Sequence, residues 1–235
     1  MTFCIITHVN HCQEQNQYFA YAPYVREMNI WLQFVDEVII VAPLEKTEKT
    51  AIDIAYDHDK IIFKKVPAFN VTGLKQIALT IFSLPVLFYT IFKAMQKAHH
   101  IHLRCPGNMG LIGAIVQMLF PRKQKTAKYA GNWDPKSKQP WSYRLQKWIL
   151  SNTYLTKNMH VLVYGEWPNQ SKNINSFFTA TYAKEEINNS VLKLRSAESY
   201  KFIFVGTLSK GKGPLYAIQL VEQLNLSRIK VSLDL

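Results

Sequence analysis

Short apolar runs recur along the chain, and longer stretches with apolar residues at helical spacing separate them. Such runs are typical of strands in a parallel sheet that is buried on both faces. We predict strands at Phe3–Thr7, Glu37–Ala42, Asp59–Val66, His100–Cys105, Lys128–Ala130, His160–Tyr164 and Phe177–Tyr182, with helices at Tyr18–Leu32, Gln76–Phe92 and from Asn108 to near Phe120. This alternation predicts an α/β fold with a doubly wound, Rossmann-type sheet.

The last part of the chain repeats the pattern on a smaller scale. Phe202–Val205 is an apolar run, Pro214 suits the first turn of a helix, and Ile229–Leu235 alternates apolar and polar residues. The loop between the run and the helix, Gly206–Gly213, contains three glycines and two lysines. The segment predicts a βαβ unit whose loop presents backbone N–H groups and the positive end of a helix to a phosphate.

Two plainer interpretations of this loop stay open. The spacing Gly206-x4-Gly211-Lys212 is close to a P-loop, but Gly213 follows where that motif needs Ser or Thr to hold magnesium. No partner acidic strand follows either. A glycine turn with solvated lysines is the second alternative.

The segment FIFVGTLSKGKGPLYAIQL resembles the start of the second domain in GT-B fold glycosyltransferases of family 4. That family has an apolar strand, then Gly-Arg-Leu-Ser-x-x-Lys-Gly, then a helix, and its Arg and Lys grip the donor diphosphate. Lys212 matches the Lys, whereas Thr207 stands where the Arg belongs and supplies no charge. The resemblance therefore implies a diphosphate site at Gly206, Thr207, Lys212 and Gly213, with Lys210 as a further cation.

The resemblance also implies an activity. Family 4 enzymes transfer a sugar, with retention, from a nucleotide-diphosphate sugar to a glycan or lipid-linked acceptor. The resemblance implies a cytoplasmic location with peripheral contact at the inner face of the membrane. It also implies no metal and no cofactor, with the nucleotide-diphosphate sugar as the donor substrate. We expect an acceptor-side domain at 1–195, ending in the polar linker Lys184–Ser199, and the beginning of a donor domain at 196–235. The family's later Glu-x7-Glu pair has no counterpart here, so we expect this chain as written not to complete a donor site.

Candidate acceptor contacts follow the predicted strands, at the edge where open α/β sheets bind ligands. They are His8, Asn10 and His11 in the predicted loop His8–Gln17, Arg104 at the end of the fourth predicted strand, and Glu166 after the sixth. Each candidate has a plainer alternative. The loop with His8, Asn10 and His11 is equally consistent with a solvated loop. Arg104 fits either an anion contact or an ion pair, and Glu166 fits an ordinary surface glutamate.

Candidate catalytic residues lie in the segment Gly131-Asn132-Trp133-Asp134-Pro135. Family 4 enzymes commonly carry a His, often as His-Asp, at this place near the reacting sugar. Here Asn132 and Asp134 occupy the region, so the resemblance implies them as catalytic candidates. Asp before Pro is equally an ordinary turn former.

Composition narrows the possible partners. The chain has 235 residues and a net charge of +12, with a pI near 9.5, which favours phosphates, anionic lipid or nucleic acid. No nucleic-acid recognition motif is present, so we expect no nucleic-acid partner. The three cysteines lack metal-ligand spacing and indicate a reducing compartment. The N-terminal MTFCIITHV predicts a strand and has no signal-peptide pattern.

Two further segments bear on membrane contact. Gln76–Phe92 is uncharged over 17 residues and contains Pro85, so a buried or membrane-apposed helix is favoured over a transmembrane one. The basic run at Arg122, Lys123, Lys125 and Lys128 predicts a solvated face, with an interfacial surface as the alternative. A non-catalytic membrane-surface or partner-binding α/β protein is therefore the alternative to the glycosyltransferase.

Overall fold

A computed structural model describes residues 1–67, 74–178, 200–206 and 208–235, and for 74–81 and 210 it describes the backbone alone. The chain divides into two compact units, Met1–Ala183 and Lys184–Leu235.

The strands are β1 (Thr2–Ile6), β2 (His11–Glu14), β3 (Gln17–Tyr21), β4 (Glu37–Pro43), β5 (Asp53–Ala55), β6 (Ile61–Val66), β7 (His100–Cys105), β8 (Gln124–Tyr129), β9 (Met159–Val163), β10 (Ile174–Ser176), β11 (Tyr200–Ile203) and β12 (Val231–Asp234). The helices are α1 (Ala22–Leu32), α2 (Leu74–Lys97), α3 (Asn108–Val116), α4 (Trp141–Ser151) and α5 (Pro214–Leu226), and Gln117–Leu119 and Lys210–Lys212 form 3-10 turns.

The first unit is built on a parallel sheet of seven strands in the described part of the chain, in the order β10-β9-β8-β7-β1-β4-β6. β4 pairs with one edge of β1 and β6 with β4, so the sheet first grows to one side of β1. β7 then pairs with the other edge of β1 and β8 with β7, so the sheet continues on the opposite side. The doubly wound, Rossmann-type sheet predicted from the sequence is confirmed. Its strand order reverses between β1 and β7.

Helices cover the two faces of this sheet unequally. Helices α2, α3 and α4 pack on one face against Ile101, Leu103 and Cys105 of β7 and their neighbours. On the other face, α1 packs on β1 and β4 around Phe3 and Met28. Because side chains alternate along a strand, His100, His102 and Arg104 of β7 point to the α1 face.

Helix α2 covers the helix predicted at Gln76–Phe92 and continues through Pro85. A proline inside a helix costs about 3 kcal/mol because it removes one backbone hydrogen bond and crowds the preceding turn. The buried face of α2 compensates, since Leu87, Ile91 and Met95 are at most 1% exposed and each contributes about 1.5–3 kcal/mol. Within the described residues, no helix combines the length and the apolarity needed to cross a membrane.

The predicted loop His8–Gln17 and the start of the predicted helix Tyr18–Leu32 are wrong. Strands β2 and β3 form an antiparallel hairpin there, and β3 also pairs with β5. Gln15 and Asn16 make the turn with φ of 45° and 69°, a conformation that Asn tolerates well. Helix α1 begins only at Ala22, because the aromatic residues before it pack as a pleated strand.

In the basic run after α3, Arg122 is exposed as predicted, but Lys123, Lys125 and Lys128 do not form the solvated face that we predicted. The Lys123 Nζ donates to the carbonyls of Met95 and Gln96, at 2.8 and 2.7 Å, and so caps the C-terminal end of α2. The Lys125 Nζ donates to the carbonyl of Phe120 at 3.2 Å, and burial lowers the pKa of Lys125 to about 8. These lysines neutralise orphan helix carbonyls inside the fold.

The second unit has the βαβ form that the sequence predicted. Strands β11 and β12 pair in parallel, with Tyr200 opposite Val231, and α5 connects them. Pro214 is the first residue of α5. Of the described side chains of α5 none is buried, and Tyr216 and Leu226 are 76% and 77% exposed. The linker Lys184–Ser199 and most of the strand predicted at Phe177–Tyr182 lie outside the described residues.

Lys128 and Glu27 form an ion pair that joins β8 to α1, with side chains only 3% and 6% exposed. We expect Lys128→Met to lower the free energy of unfolding by about 3–5 kcal/mol, because it leaves the Glu27 carboxylate buried and unpaired. Urea denaturation followed by circular dichroism measures this loss.

The matched control is Lys49→Met, since Lys49 is 48% exposed in its pair with Glu14 and should cost no more than about 1 kcal/mol. Equal losses for the two variants would show that the buried pair does not anchor α1.

Candidate functional site

Three loops meet at the carboxyl edge of the sheet, where the strand order reverses. His8 follows β1, Gly107 follows β7 and Gly131 follows β8. A Cβ added at Gly107 would lie 3.0 Å from the His8 Nδ1, and one at Gly131 would lie 2.9 Å from the Pro106 Cγ. Because both glycines let their loops approach this closely, the loops lie against one another at the edge where doubly wound sheets bind ligands, and we call this edge the crevice.

The N-terminal end of α3 opens into this group of loops. Its N-cap, Gly107, carries no side chain, and the first turn of α3 therefore has no side-chain cap. The Gly107 carbonyl accepts a hydrogen bond of 3.0 Å from the Nε2 of Gln146 on α4, which fixes the loop. His8 stands against Gly107, and the pKa of His8 is lowered, first by the partial loss of water around its ring and second by the charge of Arg104. The edge thus offers uncapped N–H groups and a neutral imidazole.

Arg104 is the cation of this site. Its guanidinium carbon lies 4.6 Å from the centre of the Tyr24 ring, in a cation–π contact. Its Nη1 is buried without a hydrogen-bond partner, and no carboxylate among the described residues forms an ion pair with it. Of the two interpretations of Arg104, the geometry therefore favours an anion contact over an internal ion pair.

Two tyrosines and a histidine form the floor beside Arg104. His11 is 2% exposed, and its ring nitrogens bond the carbonyl of Val9 at 2.7 Å and the hydroxyl of Tyr56 at 2.8 Å. The Tyr24 hydroxyl lies near those of Tyr56 and Thr7 without a well-formed hydrogen bond to either. With both nitrogens engaged, His11 supports the site, and its predicted contact with an acceptor stays a prediction.

The Lys128–Glu27 pair lies next to this floor, because Lys128 is the cross-strand neighbour of Arg104. The Lys128 Nζ lies 5.4 and 5.2 Å from the ring centres of Tyr164 and Phe177, and the Glu27 Oε1 is buried without a hydrogen bond. None of the residues Tyr24, Tyr56, Glu27 and Lys128 was a candidate from the sequence. Tyr24 and Glu27 had only a place in a predicted helix and Lys128 one in the basic run, whereas Tyr56 lay in no predicted element, and none of this indicates their partners.

Two predicted acceptor contacts lie elsewhere. Asn10 is exposed and donates through Nδ2 to the Oε1 of Glu45 at 2.6 Å. Glu166 is exposed beyond the end of β9, after Gly165, whose φ is 82°. The structure does not bring either side chain into contact with Arg104 among the contacts of the described residues, and both assignments stay predictions.

The catalytic candidates form a turn after β8. The Asn132 Oδ1 accepts from the backbone N–H of Asp134 at 2.9 Å, and the Asp134 Oδ1 accepts from the N–H of Lys136 at 2.8 Å. Trp133 between them is buried and donates to the Oε1 of Gln170. This geometry suits the turn-forming alternative, since both polar side chains satisfy their own loop. Their catalytic roles stay predictions.

The predicted phosphate loop lies in the second unit. Lys212 ends a 3-10 turn and is exposed, and its N–H bonds the carbonyl of Ser209 at 3.0 Å. Gly213 caps α5 with a φ of 69°, which favours glycine. A Cβ at Gly211 would meet nothing within 4 Å, so the backbone is open to a ligand there. Gly206 is exposed, and Thr207 lies outside the described residues.

In the part of the chain that the structure describes, no group of three His, Cys, Asp or Glu side chains is arranged to hold a metal ion. The three cysteines are buried and unpaired, and burial raises the pKa of the Cys4 and Cys105 thiols to about 12.

The chain has structural neighbours among solved proteins but matches no known protein family. No protein-family model matches the chain, and no curated protein matches it. A UDP-GlcNAc 2-epimerase from Methanocaldococcus jannaschii superposes with a TM-score of 0.45 at 10% identity, covering 100% of this chain and 66% of that one. A UDP-N-acetylglucosamine 2-epimerase gives a TM-score of 0.44 at 11% identity, covering 99% and 62%. The chain thus spans less than two thirds of both neighbours.

At such similarity, the fold assignment depends on the strand order of this chain. The strand order shows a doubly wound sheet in the first unit and the element order a βαβ unit in the second, as predicted from the sequence.

Buried histidines make the first unit sensitive to acid. Burial lowers the pKa of His11 and His100 to about 4 and that of His102 to about 3, from an ordinary value of 6.5. The unfolded chain therefore binds more protons below pH 6.5, and the free energy of unfolding should fall as the pH drops from 6.5 towards 4.

Urea denaturation at several pH values measures this slope, and His102→Gln should make it shallower. A free energy of unfolding that stays constant over this range would contradict the prediction.

Proposed function

We propose that the chain is part of an enzyme that transfers a sugar, with retention, from a nucleotide-diphosphate sugar to a glycan or lipid-linked acceptor, similar to family 4 glycosyltransferases. The observation that carries the proposal is the loop between β11 and α5. Lys212 is exposed directly before Gly213, and α5 begins at Pro214, so a cation and uncapped helix N–H groups stand together.

The difficult step in such a transfer is departure of the diphosphate from the anomeric carbon. Negative charge grows on the leaving group, and fixed donors aimed at that charge are typically worth about 3–4 kcal/mol each. In our proposal Lys212 and the N–H groups at the start of α5 supply this stabilisation, and Thr207 adds a neutral donor. No divalent metal is needed in this scheme, because the cationic side chain balances the diphosphate.

The acceptor is proposed to bind in the first unit, at the crevice where the strand order reverses. His8 and Gly107 line it, and Arg104 contributes the charge. This assignment is supported by the general position of ligands in doubly wound sheets, outside the carboxyl ends of the strands.

The donor assignment is tested by Lys212→Ala. We expect calorimetry with UDP-, GDP- and ADP-sugars to detect binding to the chain, or to a longer protein that contains it, and to find it about 10- to 100-fold weaker in the variant, because a charge-assisted hydrogen bond is lost.

Lys230→Ala is the matched control, since Lys230 is an exposed lysine of the same unit that lies outside the loop. Near-normal affinity in Lys212→Ala would exclude Lys212 as the diphosphate contact.

A second candidate function, non-catalytic binding to a membrane surface, is favoured by the exposed side of α2. Phe82, Val86 and Tyr89 are 81%, 65% and 61% exposed and follow one helical stripe. The stripe adjoins a cavity of about 430 Å³ whose lining includes Lys64, Lys93 and Lys97 together with Tyr89. Apolar side chains beside lysines suit the headgroup region of an anionic bilayer.

Co-sedimentation with vesicles tests this candidate. We expect the chain to bind phosphatidylcholine vesicles that contain phosphatidylglycerol, and the double variant Phe82→Asp, Val86→Asp to lose most of that binding. Phe34→Asp is the control, because Phe34 is 76% exposed beyond the end of α1. Anionic-lipid binding without any nucleotide-sugar binding would favour this candidate over the transferase.

A further inference from the structure

The region around Arg104 contains buried hydrogen-bond donors that the described residues leave unused. The Arg104 Nη1 and the Tyr24 hydroxyl are both buried without a well-formed hydrogen bond, although Arg104 lies directly over the Tyr24 ring at 4.6 Å. The contact with the ring satisfies the face of the guanidinium, whereas its Nη1 has no hydrogen-bond acceptor among the described residues. Because buried polar groups in folded proteins are nearly always bonded, the unpartnered Arg104 Nη1 indicates a missing acceptor, and the Tyr24 hydroxyl, which has the hydroxyls of Tyr56 and Thr7 near it, lies beside that place.

The charges around Arg104 also indicate a missing anion. Arg104 and Lys128 are neighbours on adjacent strands, and among the described residues Glu27 is the carboxylate that pairs with Lys128. One positive charge is therefore left over at a half-buried place, where an uncompensated charge is unfavourable. The polar groups that lie close to Arg104 on other elements, His8, Tyr24 and Tyr56, are neutral, and they balance no charge.

The approach from solvent is set by the loops after β1 and β7. Gly107 has a φ of 150° and leaves room for the His8 ring, and His8 itself is exposed. The uncapped first turn of α3 begins at the same glycine. A ligand that enters beside His8 therefore meets an imidazole and backbone N–H groups on its way to the guanidinium.

We infer that Arg104 and Tyr24 bind an oxyanion, a phosphate or a carboxylate, in the crevice between the carboxyl ends of β1 and β7. This inference rests on the proposed function, in which the crevice receives the acceptor, and it assigns the acceptor to the anionic sugars: sugar phosphates or uronic acids. Arg suits either group, since its planar fork matches phosphate and carboxylate oxygens bidentately. A neutral sugar accepts hydrogen bonds through its hydroxyl oxygens, but it brings no negative charge to balance that of Arg104.

Calorimetry of the full chain with three ligands tests the inference. The ligands are glucose 1-phosphate, glucuronate and glucose, which separate a phosphate from a carboxylate and both from a neutral hexose. We expect saturable binding of at least one anion and none of glucose. Arg104→Gln should weaken that binding at least tenfold, whereas Arg122→Gln, which removes an exposed arginine of the first unit, should leave it within twofold.

A second variant and an NMR measurement test the same site independently. Arg104→Lys retains the charge without the fork, so it should fold even if Arg104→Gln does not, and it should bind the anion several-fold more weakly than the natural chain. In the natural chain, the anion should shift the NMR signals of the His8 ring. Failure of both anions to bind, equal affinity in the Arg104 variants, or unmoved His8 signals would overturn the inference.

The test is separate from that of the donor loop. Lys212→Ala should still bind the anion, because Lys212 belongs to the second unit. If Lys212→Ala abolishes the binding, the anion occupies the glycine loop and the inference about Arg104 is wrong. If nucleotide sugars fail to bind while Arg104 still holds the anion, the donor proposal fails and the oxyanion site remains.

Discussion

A parallel sheet must bury both of its faces, and this requirement organises the first unit. Helices α2, α3 and α4 cover one face with apolar contacts, whereas α1 covers part of the other. On the α1 side, β7 and β8 carry His102, Arg104 and Lys128 where an ordinary sheet would carry aliphatic residues. Each buried polar group therefore needs a partner, and Glu27 of α1 meets Lys128 for this reason.

The candidate site follows from the same arrangement. Polar residues collect on the α1 face of β7 and β8, and the reversal of strand order places the end of this face beside the loop after β1. Part of the group is bonded internally: the His102 Nδ1 bonds the Thr126 hydroxyl at 2.8 Å, although the His102 Nε2 has no partner, and His11 bonds Tyr56. Arg104 and Tyr24 are members with unpartnered polar atoms, and they lie towards the carboxyl edge of the sheet, where the proposed oxyanion site is.

The anion contacts that we propose for the two units differ in kind. In the first unit, the cation is half-buried and held over an aromatic ring, so its geometry is restricted. In the second, Lys212 is exposed on a glycine-rich turn with open space around Gly211. A restricted fork selects a ligand by shape, whereas an exposed lysine at a helix start attracts a diphosphate mainly by charge. In the proposed function, this difference suits an acceptor and a donor with separate binding requirements.

The sequence by itself determined the features that depend on near neighbours. Apolar runs such as His100–Cys105 predicted their strands closely, and Pro214 marked the first residue of α5. Periodicity and backbone restrictions act over a few residues, so they are visible in any short window. Arg104 was also recognisable as a candidate, because it ends a strand.

Only the tertiary structure decided which distant groups meet. The hairpin of β2 and β3 forms because β5, which lies more than thirty residues along the chain from its turn, pairs with β3. The lysines of the basic run are buried because helix ends and a glutamate on α1 lie opposite them, and α2 stays helical through Pro85 because its other residues pack on the sheet. A lysine looks the same in a short stretch of sequence whether its charge is solvated or paired, and a proline looks the same whether or not packing offsets its cost. The residues that pair with the charge or pack around the proline come from elsewhere in the chain.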